Sequence, residues 1–132
     1  MAGAIAVCYE APTRFARYTV ADGAGIAKGT LLKLSTPNTA SAASADNDVV
    51  GGIAWMEKVA SDGSTEIVAA LDGIWGITTS AAAVTIGEQV VINGANTIKK
   101  YTTLDAEKGY VLGRSLETIG ASATVIRVRV QV

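Results

Sequence analysis

A pattern that occurs twice constrains the fold of this chain more than any other feature of its sequence. Each copy has an apolar residue, two spacers, a glycine and then alternating apolar positions. The first copy consists of Ile26, Gly29, Leu32 and Leu34. The second copy, 58 positions later, consists of Val84, Gly87, Val90 and Ile92. Two further pairs of segments follow in the same order: Val50-Gly51-Gly52 with Val111-Leu112-Gly113, and Thr65, Ile67, Ala69 and Leu71 with Thr124, Ile126, Val128 and Val130. The sequence therefore predicts two related β units, at residues 25–78 and 83–132.

The strand signals predict an all-β fold, a compact small sandwich or barrel of about ten short strands separated by glycine turns. Residues 124–132 alternate most strictly, with apolar side chains inward and Arg127 and Arg129 outward. The segment 36–48 has no periodicity and is predicted to be a loop, and Asn93-Gly94 is predicted to be a hairpin turn. Single helical turns are expected only at residues 79–83 and 103–108.

The composition argues against an enzyme and predicts no catalytic, cofactor-binding or metal-binding residues. The chain has no histidine and one cysteine, Cys8, which removes the usual general base and the usual zinc ligands. Residues 23–30 suggest a phosphate loop, but Lys28 precedes Gly29 instead of following it. The 11 basic and 12 acidic residues form no basic stripe, and no apolar run reaches the roughly 20 residues of a membrane span. We therefore expect no nucleic-acid partner and no membrane partner.

Residues 1–20 lie outside the predicted repeat and are expected to form an extended N-terminal arm, followed by a β domain at residues 21–132. Two interpretations of this segment stay open: an arm that pairs with a partner, or an edge strand of the chain's own sheet. The apolar, aromatic and basic side chains of the segment are its candidate binding residues: Ile5, Val7, Tyr9, Phe15, Arg17 and Tyr18.

Two tryptophans and two arginines are candidates for a subunit interface. Trp55 and Trp75 are interpreted either as core residues or as interface anchors, because tryptophan is favoured in both environments. Arg127 and Arg129 are interpreted either as a solvated strand face or as interface contacts.

Five segments together resemble the small decoration (cement) proteins of tailed-bacteriophage heads. The resemblance covers residues 20–132 and is carried by Val50-Gly51-Gly52-Ile53-Ala54, the turn at Gly63, residues 66–71, Asp72-Gly73-Ile74-Trp75 and Ile86-Gly87-Glu88-Gln89-Val90. It implies a homotrimer on the outer surface of the mature capsid, at three-fold and quasi-three-fold positions. It also implies that the N-terminal segment contacts the major capsid protein. The protein would be made in the host cytoplasm and would act in the virion.

The resulting hypothesis is a structural capsid decoration protein that stabilises the shell. One alternative is another trimeric β module of the virion, such as a head-fibre base or a baseplate component. A third class is a small ligand-binding β-barrel, for which the sequence supplies few aromatic residues to line a pocket.

Overall fold

A computed structural model describes residues 5–46, 48–101 and 111–132. In these ranges the chain forms eleven strands and no helix, which confirms the predicted all-β class. The strands are β1 (Val7–Glu10), β2 (Phe15–Thr19), β3 (Leu31–Thr36), β4 (Thr39–Ala42), β5 (Val50–Ala54), β6 (Glu66–Ala70), β7 (Asp72–Thr79), β8 (Gln89–Gly94), β9 (Thr97–Lys100), β10 (Val111–Ser115) and β11 (Val125–Gln131).

The strands form two five-stranded barrels. The first barrel closes in the order β2-β4-β3-β5-β6. The second has the order β7-β11-β10-β8-β9 and closes through a parallel pairing of β7 with β9, while β1 adds to β7 from outside the barrel. One residue, Leu71, separates β6 of the first barrel from β7 of the second.

The two barrels have the same topology strand for strand. β2 corresponds to β7, β3 to β8, β4 to β9, β5 to β10 and β6 to β11. Even the single parallel pairing recurs, as Thr19 with Thr39 and as Thr78 with Thr97. The predicted two-unit organisation is therefore confirmed, but each unit begins earlier than residues 25 and 83, since β2 and β7 are the first strands of their barrels. The sequences of β2 and β7 share no obvious pattern, which hides this equivalence.

Left-handed turn residues recur at equivalent points of the barrels. Gly29 and Gly87, the glycines of the repeated pattern, have φ angles of 93° and 87°. Asn38 and Asn96 have φ angles of 56° and 55° in the β3–β4 and β8–β9 turns. Glycine adopts positive φ without a steric cost, and asparagine tolerates it better than most residues. The repeat therefore preserves backbone geometry at its turns.

A bulge also recurs in the two glycine-containing strands β5 and β10. In the first barrel the β3–β5 register shifts between Leu32 and Lys33, so Gly51 is the extra residue. In the second barrel the β8–β10 register shifts in the same way around Leu112. Bulges increase local twist, which helps short strands to close into a barrel.

Two clusters of apolar side chains form the core. The smaller cluster fills the first barrel with Val20, Ile26, Leu32, Ala40, Ala54, Ile67 and Ala69. The larger cluster combines side chains from β7 to β11 with Leu31, Ile53 and Ala70 of the first barrel. Along β11, buried and exposed residues alternate as predicted. Because the larger cluster contains residues of both barrels, the barrels share part of one core.

Three local predictions were wrong. The predicted loop 36–48 contains β4, a strand of four small or polar residues without an apolar alternation. The hairpin turn lies at residues 95–96, and Asn93-Gly94 is the end of β8. β7 ends at Thr79, and Ala81 has a φ of 63°, which a right-handed helical turn does not allow. The other predicted helical turn, at residues 103–108, lies outside the described residues.

Candidate functional site

The N-terminal segment lies along the second barrel as an edge strand. β1 pairs antiparallel with β7, with Val7 opposite Gly76 and Cys8 opposite Trp75. Just before β1, the Ala6 N–H donates a hydrogen bond of 2.9 Å to the Gly29 carbonyl oxygen. Residues 5–10, hereafter the docked arm, therefore contact both barrels of their own subunit. Binding of this arm to a capsid stays a prediction.

Two glycines make room for the docked arm. A Cβ at Gly29 would lie 2.5 Å from the Ala6 carbonyl oxygen. A Cβ at Gly76 would lie 2.7 Å from Cε2 of the Tyr9 ring. Distances below 3.0 Å force a neighbour to move, and that neighbour is the backbone of the arm at Gly29 and the Tyr9 ring at Gly76.

The outer side of the docked arm presents large apolar side chains to solvent. Val7 and Tyr9 are 56% and 55% exposed, and Val125 of β11 is 50% exposed. The guanidinium of Arg127 lies over the Tyr9 ring, 4.8 Å from its centroid, in a cation–π contact. We call these four side chains the arm face: Val7, Tyr9, Val125 and Arg127. A surface cleft of about 430 Å³ adjoins it, lined in part by Tyr9, Ile74 and Arg127.

Asp72 holds the connection between β1 and β2. Its Oδ1 accepts hydrogen bonds from the backbone N–H groups of Thr13 and Arg14, at 2.7 and 3.0 Å. Its Oδ2 accepts a hydrogen bond of 2.6 Å from Thr13 Oγ1. The hydrogen bond from the Thr13 hydroxyl is the main cause that lowers the pKa of the Asp72 carboxyl, with the Arg14 N–H next. The ionised Asp72 therefore fixes the point where the chain crosses from the second barrel to the first.

The remaining arm candidates lie on β2, which is a strand of the first barrel. Phe15 and Arg17 point outward and are exposed. Tyr18 is half-buried against the core of the first barrel, and this burial raises the pKa of its hydroxyl. The structure therefore separates the six predicted arm residues: Val7 and Tyr9 lie on β1 beside β7, Ile5 precedes β1, and Phe15, Arg17 and Tyr18 lie on β2.

The two tryptophans link the barrels. Trp75 is 1% exposed, and its Nε1 donates a hydrogen bond of 3.1 Å to the Asp72 carbonyl oxygen. The Trp55 ring meets the Trp75 ring edge-on, with centroids 6.0 Å apart and an interplanar angle of 84°. The Phe15 and Trp55 ring centroids are 5.7 Å apart, and Lys28 Nζ lies 4.3 Å from a Trp55 ring centroid. Burial assigns Trp75 to the core of its own subunit, whereas an interface role for the half-buried Trp55 stays a prediction.

The two arginines of β11 point outward, as the alternation predicts. The backbone N–H of Arg127 donates a hydrogen bond of 2.6 Å to Glu117 Oε2. Arg129 borders a second surface cleft of about 360 Å³, together with Glu10 and Asp72. Both arginines are exposed, and their role at a subunit interface stays a prediction.

A buried lysine that no sequence pattern indicates lies at one end of the first barrel. Lys58 is 3% exposed, and its Nζ donates to the Asp22 and Asp62 carboxylates, at 3.1 and 2.8 Å, and to the carbonyl oxygens of Asp22 and Val59. Burial alone would lower the pKa of Lys58, but its hydrogen bonds to Asp62 and Asp22 raise the pKa above its ordinary value. The hydrogen bond from Lys58 is the main cause that lowers the pKa of Asp62.

The position of Lys58 has an apolar counterpart in the second barrel. Lys58 pairs with Ile26 just as Ile119 pairs with Val84 in the second barrel. A lysine with both carboxylate partners in one barrel therefore takes the place of an isoleucine in the other. A buried charge of this kind is stable only when it is paired and hydrogen-bonded.

Groups that could support chemistry are sparse in the described ranges. No cluster of three or more histidine, cysteine, aspartate or glutamate side chains there could hold a metal ion. Burial is the main cause that raises the pKa of the Cys8 thiol, which disfavours the reactive thiolate. Across the same residues, no helix has the length and apolar character needed to cross a membrane.

The fold is that of a double-barrel β protein, in which two closed five-stranded barrels share one topology. The gp8.5 N base of the head fibre in bacteriophage phi29, known from a crystal structure, has a similar fold. The alignment has a TM-score of 0.54 and 13% sequence identity, and covers 89% of this chain and 95% of that chain. At this identity the similarity shows the fold alone. No protein-family model and no curated protein sequence matches the chain.

Proposed function

We propose that this protein is a structural component of a tailed-bacteriophage head, which binds the outer surface of the mature capsid and stabilises it. One observation carries the proposal: the similarity to a phage head-fibre base covers 89% of this chain and 95% of that one. The shared architecture therefore includes both barrels and is not confined to one common motif. The decoration-protein motifs in the sequence support the same kind of role. The proposal assigns no catalytic step to the chain.

The arm face is the surface proposed to meet the major capsid protein. Exposed apolar side chains that adjoin one another are typical of protein interaction sites. In the described part of the chain, β1 pairs with β7 alone, so its other edge is open. An open strand edge accepts an extended segment of another protein through main-chain hydrogen bonds. A segment of the capsid protein would therefore extend the sheet beyond β1.

A homotrimer would present three such edges to the capsid. Weak contacts at each edge would combine into a strong attachment, because the second and third contacts form within one complex. Binding to the mature shell alone would stabilise that shell by about 2.7 kcal/mol per site at a free concentration 100 times the Kd. Light scattering of the purified protein tests the trimer.

Binding of the purified protein to expanded, undecorated capsids tests the proposal. We expect saturable binding, and we expect Val7→Asp to reduce it because it places a charge in the arm face. Ile86→Asp is the matched control, since Ile86 is a comparably exposed apolar residue (62%) outside the arm face. An absence of saturable binding to any capsid would refute the head-surface role. Equal binding by the two variants would refute the role of the arm face.

A head-fibre base is the second candidate function. The similarity to the phi29 gp8.5 N base favours it specifically. In this role the double barrel would connect a fibre to the head. Immunogold electron microscopy of virions distinguishes the candidates: label spread over the head lattice supports a decoration protein, label at fibre attachment points supports a fibre base, and label at the tail tip supports a baseplate component.

A further inference from the structure

The internal repeat allows the strand edges of the two barrels to be compared directly. In the second barrel, β11 occupies one edge of β7. The other edge is shared: β9 pairs with its end at Thr78, and β1 pairs with the part that contains Ile74 and Gly76. A strand site beside the first half of β7 is therefore occupied by the docked arm.

No strand among the described residues fills the equivalent site in the first barrel. β6 occupies one edge of β2 along its full length. On the other edge, β4 pairs with β2 only at Thr19. The Thr19 N–H donates a hydrogen bond of 2.7 Å to the Asn38 backbone carbonyl oxygen. Because successive residues direct their backbone groups to opposite edges, Phe15 and Arg17 face the same side as Thr19. No strand of the described ranges pairs with Phe15 or Arg17 on that side.

We infer that this open edge, residues 15–17 of β2, binds an extended strand of another protein, in the way that β7 binds β1. Phe15 and Arg17 stand at the positions of Ile74 and Gly76, which form pairs with Glu10 and Val7 of the docked arm. The pairing of β1 with β7 in the second barrel thus shows the geometry that a strand at this site takes. Open strand edges are sites of pairing with other chains unless they are covered.

The side chains around the open edge define the chemistry of the incoming strand. Arg17 lies opposite Val68, and no carboxylate of the described residues forms an ion pair with it. Lys28 lies over Trp55, which in turn contacts Phe15. The open edge therefore combines two cationic side chains with an exposed aromatic ring. It fits a strand that alternates acidic and apolar residues.

The arm of a second copy is a poor candidate for this position. Gly76 leaves room for the Tyr9 ring, whereas the corresponding residue beside the open edge is Arg17, whose side chain would fill that room. In addition, each copy's β1 already pairs with its own β7, so moving it would open one edge to close another. Such an exchange would leave the number of paired strand edges unchanged.

Peptide binding to isotope-labelled protein tests the inference by NMR. The probe is a capped peptide of alternating valine and glutamate, and the comparison peptide has lysine in place of glutamate. We expect the glutamate peptide to shift the amide resonances of Phe15 and Arg17, and the lysine peptide to bind roughly threefold to fivefold more weakly, as an exposed ion pair predicts. Arg17→Glu should reverse this preference. Arg129→Glu, a matched change on β11, whose two edges are both paired, should leave it unchanged.

Hydrogen exchange of the free protein supplies the second measurement. The amides of Phe15 and Arg17 should exchange faster than those of Ile74 and Gly76, which β1 covers. Protection that rises with protein concentration would show that a second copy fills the edge and would overturn the inference. Concentration-independent protection, an absence of peptide shifts at β2, or equal affinity for both peptides would overturn it as well. The inference does not depend on the proposed function, because both measurements use the purified protein alone.

Discussion

Replacement of one repeated glycine should release the docked arm, while the same replacement at the equivalent glycine should not. Gly29 and Gly87 have nearly equal positive φ angles, 93° and 87°. Alanine in this conformation costs about 1–2 kcal/mol at either position. A Cβ at Gly87 would have no atom within 4 Å, whereas a Cβ at Gly29 would meet the Ala6 carbonyl oxygen at 2.5 Å.

The additional cost at Gly29 follows from the contacts that Ala6 would lose. The hydrogen bond from the Ala6 N–H to Gly29 contributes about 0.5–1.5 kcal/mol. The Ala6 methyl group, only 6% exposed, contributes about 0.8 kcal/mol through its burial. We therefore expect Gly29→Ala to reduce the free energy of unfolding by at least about 1–2 kcal/mol more than Gly87→Ala, since loss of the β1–β7 pairing would add to this cost. In a domain of this size that difference lowers the melting temperature by roughly 3–8 °C.

Urea unfolding of the two variants measures the energy difference, and hydrogen exchange locates its cause. In Gly29→Ala the amides of β1 should lose protection while those of β8 and β11 keep it, and in Gly87→Ala the β1 amides should stay protected. Equal destabilisation of the two variants, or full protection of β1 in Gly29→Ala, would refute the argument that Gly29 holds the arm through close backbone contact.

Three further changes test the polar anchors and the aromatic contact. Asp72, whose pKa is lowered by folding, stabilises the protein above the ordinary carboxyl pKa of about 3.9, and this contribution is lost as the pH falls through the folded-state pKa. Asp72→Asn should therefore destabilise the protein near neutral pH and flatten its loss of stability in acid; parallel curves of unfolding free energy against pH would contradict this. Lys58→Ile copies Ile119 of the second barrel and should also lower stability near neutral pH, by an amount that shrinks as Asp62 becomes protonated in acid. An increase in stability at neutral pH would contradict a stabilising role for the ion pairs of Lys58 with Asp22 and Asp62. Trp75→Ala should cost about 3–5 kcal/mol in chemical denaturation, as buried aromatic truncations do, and the half-buried Trp55→Ala should cost less; the reverse order would be incompatible with the observed burial.

The sequence predicts those strands whose two faces differ clearly in polarity. The alternation along β11 and the repeated apolar positions of β3 and β8 report which side chains enter a core, and the structure confirms these strands. β4 escapes prediction because its four residues, Thr-Ala-Ser-Ala, are small or polar. The equivalence of β2 and β7 also escapes, because equivalent positions have different surroundings: Arg17 is exposed, whereas its counterpart Gly76 is buried beneath the docked arm.

The candidate site was predictable only in its residue types. Exposed apolar side chains near the N-terminus indicate an interaction surface, but the edge on which they lie depends on β7, more than sixty residues further along the chain. The role of Gly76 can be recognised only once the structure shows that the Tyr9 ring packs against it. The buried position of Lys58 depends on Asp22 and Asp62, which come from separate loops. Contacts of this kind are set by tertiary structure, and local sequence patterns do not contain them.

The single residue between the barrels has a mechanical consequence. Because Leu71 alone joins β6 to β7 and the barrels share a core, we expect them to move as one unit. The arm face on one barrel and the open edge on the other are therefore held at a fixed separation and a fixed angle. A surface that offers strands to both would be recognised by the spacing of its subunits as well as by its chemistry. If both proposed contacts form, such a protein would distinguish two lattices that have the same subunits but different dimensions.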